Sequence, residues 1–557
     1  MAVAGIVTTL FIIIGIQTFM ILKGLFLLAG LAAIWLLYDF ERKTLSFIAG
    51  LVIILINVAV FQVDFQHFIN KELLYNQTPE LQVETPFGQI NITRMGHQRN
   101  VLLNSQLLYS TDNFIDNEES VHYPMIQHPQ PSRVLVVSGD LTGIASELEK
   151  YNIQDISYLG IVPWLSKWET NRIKKVNEHL NIHGINQDPV EFLKSSQEQF
   201  DVILINVPEP VNFAMNRFYS VQFFEDVKDN LSPGGIMSIS LPSAPGQIEE
   251  PLLSEYRRLK STLQLLFENV LIIPDLQSYF LASDQNLSGQ IAYLIELKGI
   301  SANYVNPQYI DDGLQNEKRH QIESQISDKV EINNILYTIP LSLFILPGIP
   351  GSRLLFLPAL VLALSLFVSV SLFQKPYKTG LFFTGFTAAS MEIVLLVMVQ
   401  IVSGYAYLMI PVMITLFMSG ILAGGLLAVK KIPESTKSIT ILTYMFGLLA
   451  VITAIPVALT KGIFDHPTLI LIILMIVQFL AGVITGSVFI SASGIMKYPS
   501  KSTALTLNTL DLSGAAAGAL LCSLVAIPEF GIVRTGLLIA IINFLAGLII
   551  LFRPTFK

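Results

Sequence analysis

Cysteine is all but missing from this sequence: Cys522 is the only one in 557 residues, and it lies in an apolar run. A disulfide framework and a thiolate metal site are thereby excluded. Charge is scarce as well. Asp, Glu, Lys and Arg make up 14% of the chain, against about a quarter in soluble domains. Positive charge is the scarcer sign: 34 Lys and Arg face 42 Asp and Glu, a net charge of −8, so no nucleic-acid partner is expected. The opening "MAVAGIVTTLFIIIGIQTFMIL" lacks the basic start and small-residue cleavage site of a secretory signal and reads as a retained helix. His97 and His122 have no suitably spaced ligating partners, so no metal centre is expected.

Apolar sequence is what the chain has in quantity, at 52% of residues and a mean hydropathy of +0.57. Crossing a hydrocarbon core takes about 20 apolar residues. Such spans are expected at 3–22, 25–38 (short) and 45–63, and again at 354–373, 380–402, 407–429, 438–458, 468–493, 504–526 and 532–552. A weaker candidate of 14 residues, "ILYTIPLSLFILPG" (335–348), carries an internal proline. The organisation expected is three N-terminal helices (1–65), a small β subdomain (70–125), an α/β domain (126–330) and a C-terminal bundle of seven or eight helices (335–557).

Within the polar middle, "GQINITRMGHQRNVLLNSQLLYSTD" alternates like a small antiparallel sheet. After it, the strand-like stretches "RVLVVSG", "DISYLGI", "NIHGIN", "FDVILINVP", "GGIMSIS", "NVLIIPD" and "IAYLIELK" alternate with helical ones. That pattern predicts a Rossmann-like, doubly wound sheet with its crevice beyond the carboxyl ends of the strands. The expected fold is therefore a polytopic helical membrane protein with an inserted α/β domain. The loops "QKPYK", "KKIPESTK", "YPSK" and "RPTFK" are basic and alternate with "SGYA", "TKGIFDHP" and "IPEFG", which hold one lysine between them; this places the basic set in the cytoplasm. With 335–348 crossing, the polar domain is cytoplasmic as well; without it, the domain lies outside. A nucleotide fold belongs where nucleotides are, so the expectation is a cytoplasmic domain on a bacterial inner membrane.

Four tracts carry a resemblance to a known family: "VHYPMIQHPQPSRVLVVSGD", "QDPVEFL", "FDVILINVPEP" and "NRFYSVQFFEDVKDNLSPGG". In that order the chain resembles the spermidine synthases, polyamine aminopropyltransferases, and in particular multi-helix membrane proteins fused to such a domain. The resemblance implies an adenosine thioether or decarboxylated S-adenosylmethionine as ligand, with a carboxylate taking the proton of the attacking amine. On it, Gly139, Asp140 and Gly143 belong to the cofactor loop, and Asp188 matches the acid that contacts adenine. Other acid positions are gone. Leu141 replaces the acid of the glycine loop, Gly160 and its neighbours replace the ribose acid, and the proton-accepting aspartate is Asn206, leaving Glu209 as the second acid of that motif. The family's "YHE" is matched to Val121-His122-Tyr123. "NRFYS" (216–220) reads either as a lid or as a buried Phe/Tyr anchor with Arg217 on the surface.

In the bundle, Glu392 shares a helix face with Gly385, Ala388 and Ala389, and Asp511 with Asn508, Gly514, Ala515, Gly518 and Cys522. Gln400 lies on the helix of Glu392. A charge in mid-membrane costs about 2.5–3.5 kcal/mol, so such residues are functional candidates and should face inward. The glycine pairs of "GILAGG", "GVITG" and "GAAAG" are expected to pack helices together. Three functions follow: a catalytically silent domain that senses a ligand or scaffolds membrane partners; an aminopropyl or related nucleotide-dependent transferase; and a transporter of protons or polyamine-like cations. Membrane lipid, other membrane proteins and a small nucleotide-like ligand are the partners expected.

Overall fold

In the computed structural model, the described residues are 77–173, 181–243, 252–326, 330–334, 374–404, 406–459, 467–496 and 501–552, with scattered positions between 20 and 56 and residue 365. The expected spans 3–22, 25–38, 45–63 and 354–373 and the segment 335–348 lie wholly or largely outside them. Two compact units result, one of residues 1–112 with 405–415, the other of 113–404 with 416–557.

The first unit holds a four-stranded antiparallel sheet in chain order: β1 (Thr78–Thr85), β2 (Gly88–Met95), β3 (Gln98–Leu103) and β4 (Gln106–Ser110). Alternation buries Ile90, Ile92 and Val101. Asn104 and Ser105 turn the last hairpin with φ of 50° and 67°, the left-handed pair a two-residue hairpin needs. His97 sits exposed in the middle hairpin.

The second unit opens with α1 (Phe114–Met125) and continues as β5 (Arg133–Val137), α2 (Leu141–Leu148), β6 (Asp155–Leu159), α3 (Pro163–Ile173), β7 (Ile182–Ile185), α4 (Pro189–Ser195) and β8 (Phe200–Ile205). A four-residue α5 (Phe213–Asn216) runs into a 3-10 turn, then come α6 (Val221–Asp229), β9 (Leu231–Pro242), α7 (Leu252–Gln264), β10 (Asn269–Pro274), β11 (Gln277–Ser283), α8 (Ile291–Leu297) and α9 (Asp312–Ile326). The sheet order is β10-β11-β9-β8-β5-β6-β7. β7, β6, β5, β8 and β9 run parallel; β11 and β10 add an antiparallel edge. Val134–Val137 and Val202–Leu204 are fully buried, as continuous apolar strands covered on both faces must be.

One expectation fails here. "IAYLIEL" is helix α8 rather than a strand. Ile291, Ala292 and Ile295 turn to the core at helical spacing, and the Asp312 carboxylate accepts the N–H groups of Ala292 and Tyr293 at 2.8 and 3.2 Å. The seventh strand is instead β11, "QSYFLAS", paired with β9 and β10.

Beyond residue 374 the described chain is helical: α10 (Pro376–Ser403), α11 (Ala406–Lys431), α12 (Thr436–Leu459), α13 (Pro467–Ile495), α14 (Lys501–Leu521) with a π turn, and α15 (Ile527–Phe552). Five stretches are long and apolar enough to cross a membrane. The last, Leu505–Phe552, has 48 residues, about 72 Å of helix or two crossings, and it breaks at Gly531 (φ 74°). Small residues set the approach of these helices. A side chain at Gly514 or Gly518 would strike the carbonyls of Phe382 and Phe386 on α10, and one at Gly420 or Gly482 would stand 3.0 Å from the other glycine's Cα. The GxxxG pairs therefore pack helices.

Candidate functional site

β5 and β8 flank the point where the strand order reverses, so the loops after them border the crevice. After β5 the chain turns through Ser138 (φ 66°) and Gly139 (φ 97°). Asp140 then caps α2, accepting the Gly143 N–H at 3.3 Å. Its other oxygen is taken by Arg172 from α3, which also holds Glu169 at 2.7 Å. Asp140 is buried. A Cβ on Gly139 would come within 3.2 Å of the Asn206 side chain, whose amide donates to the Ser138 carbonyl at 3.4 Å. Gly143 is covered by Asn117 of α1. The loop's openings are thus filled by the protein's own side chains.

The same holds around the sheet edge. After β6, the Gly160 N–H donates to the Ser166 hydroxyl at 2.7 Å, and Ile161 and Val162 are buried. Asp188 caps α4 through Val190 and Glu191 N–H (3.0 and 3.3 Å). Arg217 grips both its oxygens, at 3.1 and 2.5 Å, with each partner about 5% exposed or less. Arg217 is therefore not at the surface, as one sequence reading had it. A bidentate pair with a capping carboxylate satisfies the guanidinium inside the protein, and Phe218 packs against its face at 4.8 Å. Phe218 and Tyr219 are buried, and the Tyr219 hydroxyl donates among the Val207, Pro208 and Ser240 carbonyls, nearest Ser240 at 3.2 Å. Glu209 stands at the exposed rim, crowded enough on one side that desolvation raises its carboxyl above the ordinary value.

The "VHY" match does not come to the glycine loop. His122 bonds Tyr151 at 2.8 Å and Glu147 at 2.9 Å, Val121 is core, and the Tyr123 hydroxyl donates to Asp275 at 2.5 Å. Asn117, more than a turn earlier, is the α1 residue against Gly143. Glu118 instead fastens a loop, accepting the N–H groups of Asn303, Tyr304 and Val305 at 2.7, 2.7 and 3.0 Å.

Sequence reasoning missed an acidic cluster behind α1. Asp116, Glu119 and Tyr123 share one helix face with Asp275, Tyr279 and Tyr304 opposite. Glu119 is fully buried. Burial, then the nearby Asp275 and Asp116 charges, push its carboxyl up to about 9. The i, i+3, i+7 spacing of Asp116, Glu119 and Tyr123 was the available signal, but the stretch was assigned to the small β subdomain (70–125) and not read as a helix.

In the bundle, Asp511 lies against Gly385 on α10, and its Oδ1 is buried without a hydrogen-bond partner. Glu392 and Gln400 are half-buried. Asn508 is exposed rather than turned inward; the α10–α14 approach is centred on the glycines, and Asn508 lies N-terminal to them. One polar link that does form is one the sequence reading passed over: fully buried Asn543 of α15 with the Thr387 hydroxyl of α10, Nδ2 to Oγ1 at 2.7 Å. Among the described residues no group of three or more ligating side chains suited to a metal comes together.

With the parallel sheet, its glycine turn and its switch point in place, residues 113–270 match the model for the spermine/spermidine synthase domain. This region is a spermidine-synthase-like domain. The chain is 28% identical over 188 residues to a polyamine aminopropyltransferase of Leptospira interrogans, covering 32% of this chain and 38% of that protein. It is 24% identical over 227 residues to one from Oceanobacillus iheyensis, covering 39% and 44%. A spermidine synthase of Dictyostelium discoideum is 28% identical over 144 residues, 25% of this chain and 50% of that one. The chain thus spans about half or less of these relatives' length. Among solved structures, spermidine synthase from Thermotoga maritima is similar at 15% identity with a TM-score of 0.36, covering 45% of this chain and 88% of that one.

Proposed function

We propose that this is an integral membrane protein whose synthase domain has lost aminopropyl transfer and serves as a ligand-sensing or scaffolding module. The observation that carries this is Arg217. The acid matched to adenine recognition, Asp188, already holds a buried bidentate partner from its own chain. The position matched to proton acceptance is Asn206, and an amide takes no proton from an ammonium at neutral pH. Asp140 is likewise held by Arg172. The partners we propose are lipid, other membrane proteins and a small nucleotide-like molecule that enters only if Arg217 moves. A helical bundle suits a bacterial inner membrane, outer membranes carrying barrels.

The test is turnover by the purified full chain. With decarboxylated S-adenosylmethionine and putrescine, no methylthioadenosine is expected; steady formation that is lost in Glu209→Gln establishes the transferase instead. A transport reading is favoured by one observation: Asp511 Oδ1 and both amide atoms of Gln478 are buried in the bundle without partners. Proton or polyamine uptake into proteoliposomes, lost in Asp511→Asn, would support it.

A further inference from the structure

One contact ties the synthase domain to the end of helix α10. The Arg217 guanidinium lies against the backbone of Gly404, within 3.0 Å of where a Cβ would stand, and α5 packs on α10. Gly404 ends α10 in the left-handed conformation with φ 68°, so the cation sits at the helix's C-terminal end, a favourable end for positive charge. The synthase domain therefore stands at the C-terminal end of α10. That helix has 28 residues, about 42 Å, so its two ends lie on opposite sides of a bilayer.

The basic residues lie at the other end. Along the six helices from α10 onward, nine lysines and arginines fall at one set of ends, in "QKPYK", "KKIPESTK", "KYPSK" and "RPTFK". The set that includes Gly404 has two, Lys461 and Arg534. These loops are short, the range in which lysine and arginine decide orientation, and the rich side is cytoplasmic.

We infer that the synthase domain lies on the non-cytoplasmic face of the membrane. This reverses the expectation drawn from where nucleotides are found. It also accounts for the eroded site: a domain on that face has no cytoplasmic sulfonium nucleotide to bind, so nothing maintains its acids. The molecule it recognises, or the protein it docks, belongs to the extracytoplasmic compartment. The inference rests on the membrane-spanning part of the proposed function and is independent of whether catalysis survives.

One cysteine per molecule suffices to test it. In a Cys522→Ala background, Gln197→Cys places a thiol on the exposed loop after α4, and Glu434→Cys places one between α11 and α12. A membrane-impermeant maleimide applied to spheroplasts is expected to label Gln197→Cys at once and Glu434→Cys only after lysis, with at least a tenfold difference in yield before lysis. Labelling of Glu434→Cys before lysis, with Gln197→Cys protected, overturns the inference and leaves the membrane-spanning reading intact. Release of the protein from membranes by alkaline carbonate overturns both.

Discussion

Removing the guanidinium of Arg217 should be among the costlier single changes in the synthase domain. In Arg217→Met, Asp188 keeps its two backbone N–H donors but loses both side-chain bonds while staying about 4% exposed. Breaking a buried ion pair from one side costs about 3–5 kcal/mol, because the remaining charge is stranded. For a domain of this size that corresponds to a midpoint lowered by roughly 10 °C. Asp188→Asn in the same background removes the stranded charge and should restore most of the loss. The difference between the double variant and the sum of the singles measures the coupling. Thermal unfolding of the detergent-purified full chain, followed by tryptophan fluorescence, reads the stability. Calorimetry with methylthioadenosine reads the site: Arg217→Met should gain affinity at least tenfold, since Asp188 becomes available to an amino group. A single variant within 0.5 kcal/mol of the parent, or methylthioadenosine bound equally by both, refutes the idea that Arg217 fills the ligand position.

Three further outcomes are expected. Glu119, with its carboxyl raised from 4.5 to about 9, stays protonated in the folded state while the unfolded chain releases the proton above pH 4.5. Folded stability therefore falls from pH 4.5 to 9, by about 3 kcal/mol at pH 7, and Glu119→Gln should be more stable than the parent by a margin that grows over that range; a margin flat with pH contradicts the assignment. Asn206→Asp alone should not produce methylthioadenosine, because Arg217 still occupies Asp188; turnover in that variant would mean the site is open. Gly514→Val drives a side chain into the Phe382 carbonyl and should abolish the α10–α14 approach, read as loss of monodisperse protein in detergent, whereas Ser513→Ala on the same helix should be tolerated.

Much of the architecture was legible because it is periodic. Runs of apolar residues set the helices from Pro376 to Phe552, and strands alternating with helices gave the parallel sheet with β5 and β8 at its centre. The pattern misled where short apolar runs fit either period, as in "IAYLIELK", and the Asp312 cap that decided for helix lies in a later segment.

Local sequence determined that Asn206 is an amide, that Leu141 and Gly160 carry no acid, and that lysine gathers at alternate helix ends; composition and covalent chemistry suffice for these. Only the tertiary structure decided what the surviving acids do. Asp188 and Arg217 are 29 residues apart and Asp140 and Arg172 are 32, and no local rule pairs them; packing of α3 and of the turn after α5 against the sheet edge does. The same packing lays Arg217 on Gly404. Which side of the membrane the domain occupies thus follows from a long-range contact, since charge along the chain orients the helices but does not say to which of their ends a folded domain is attached.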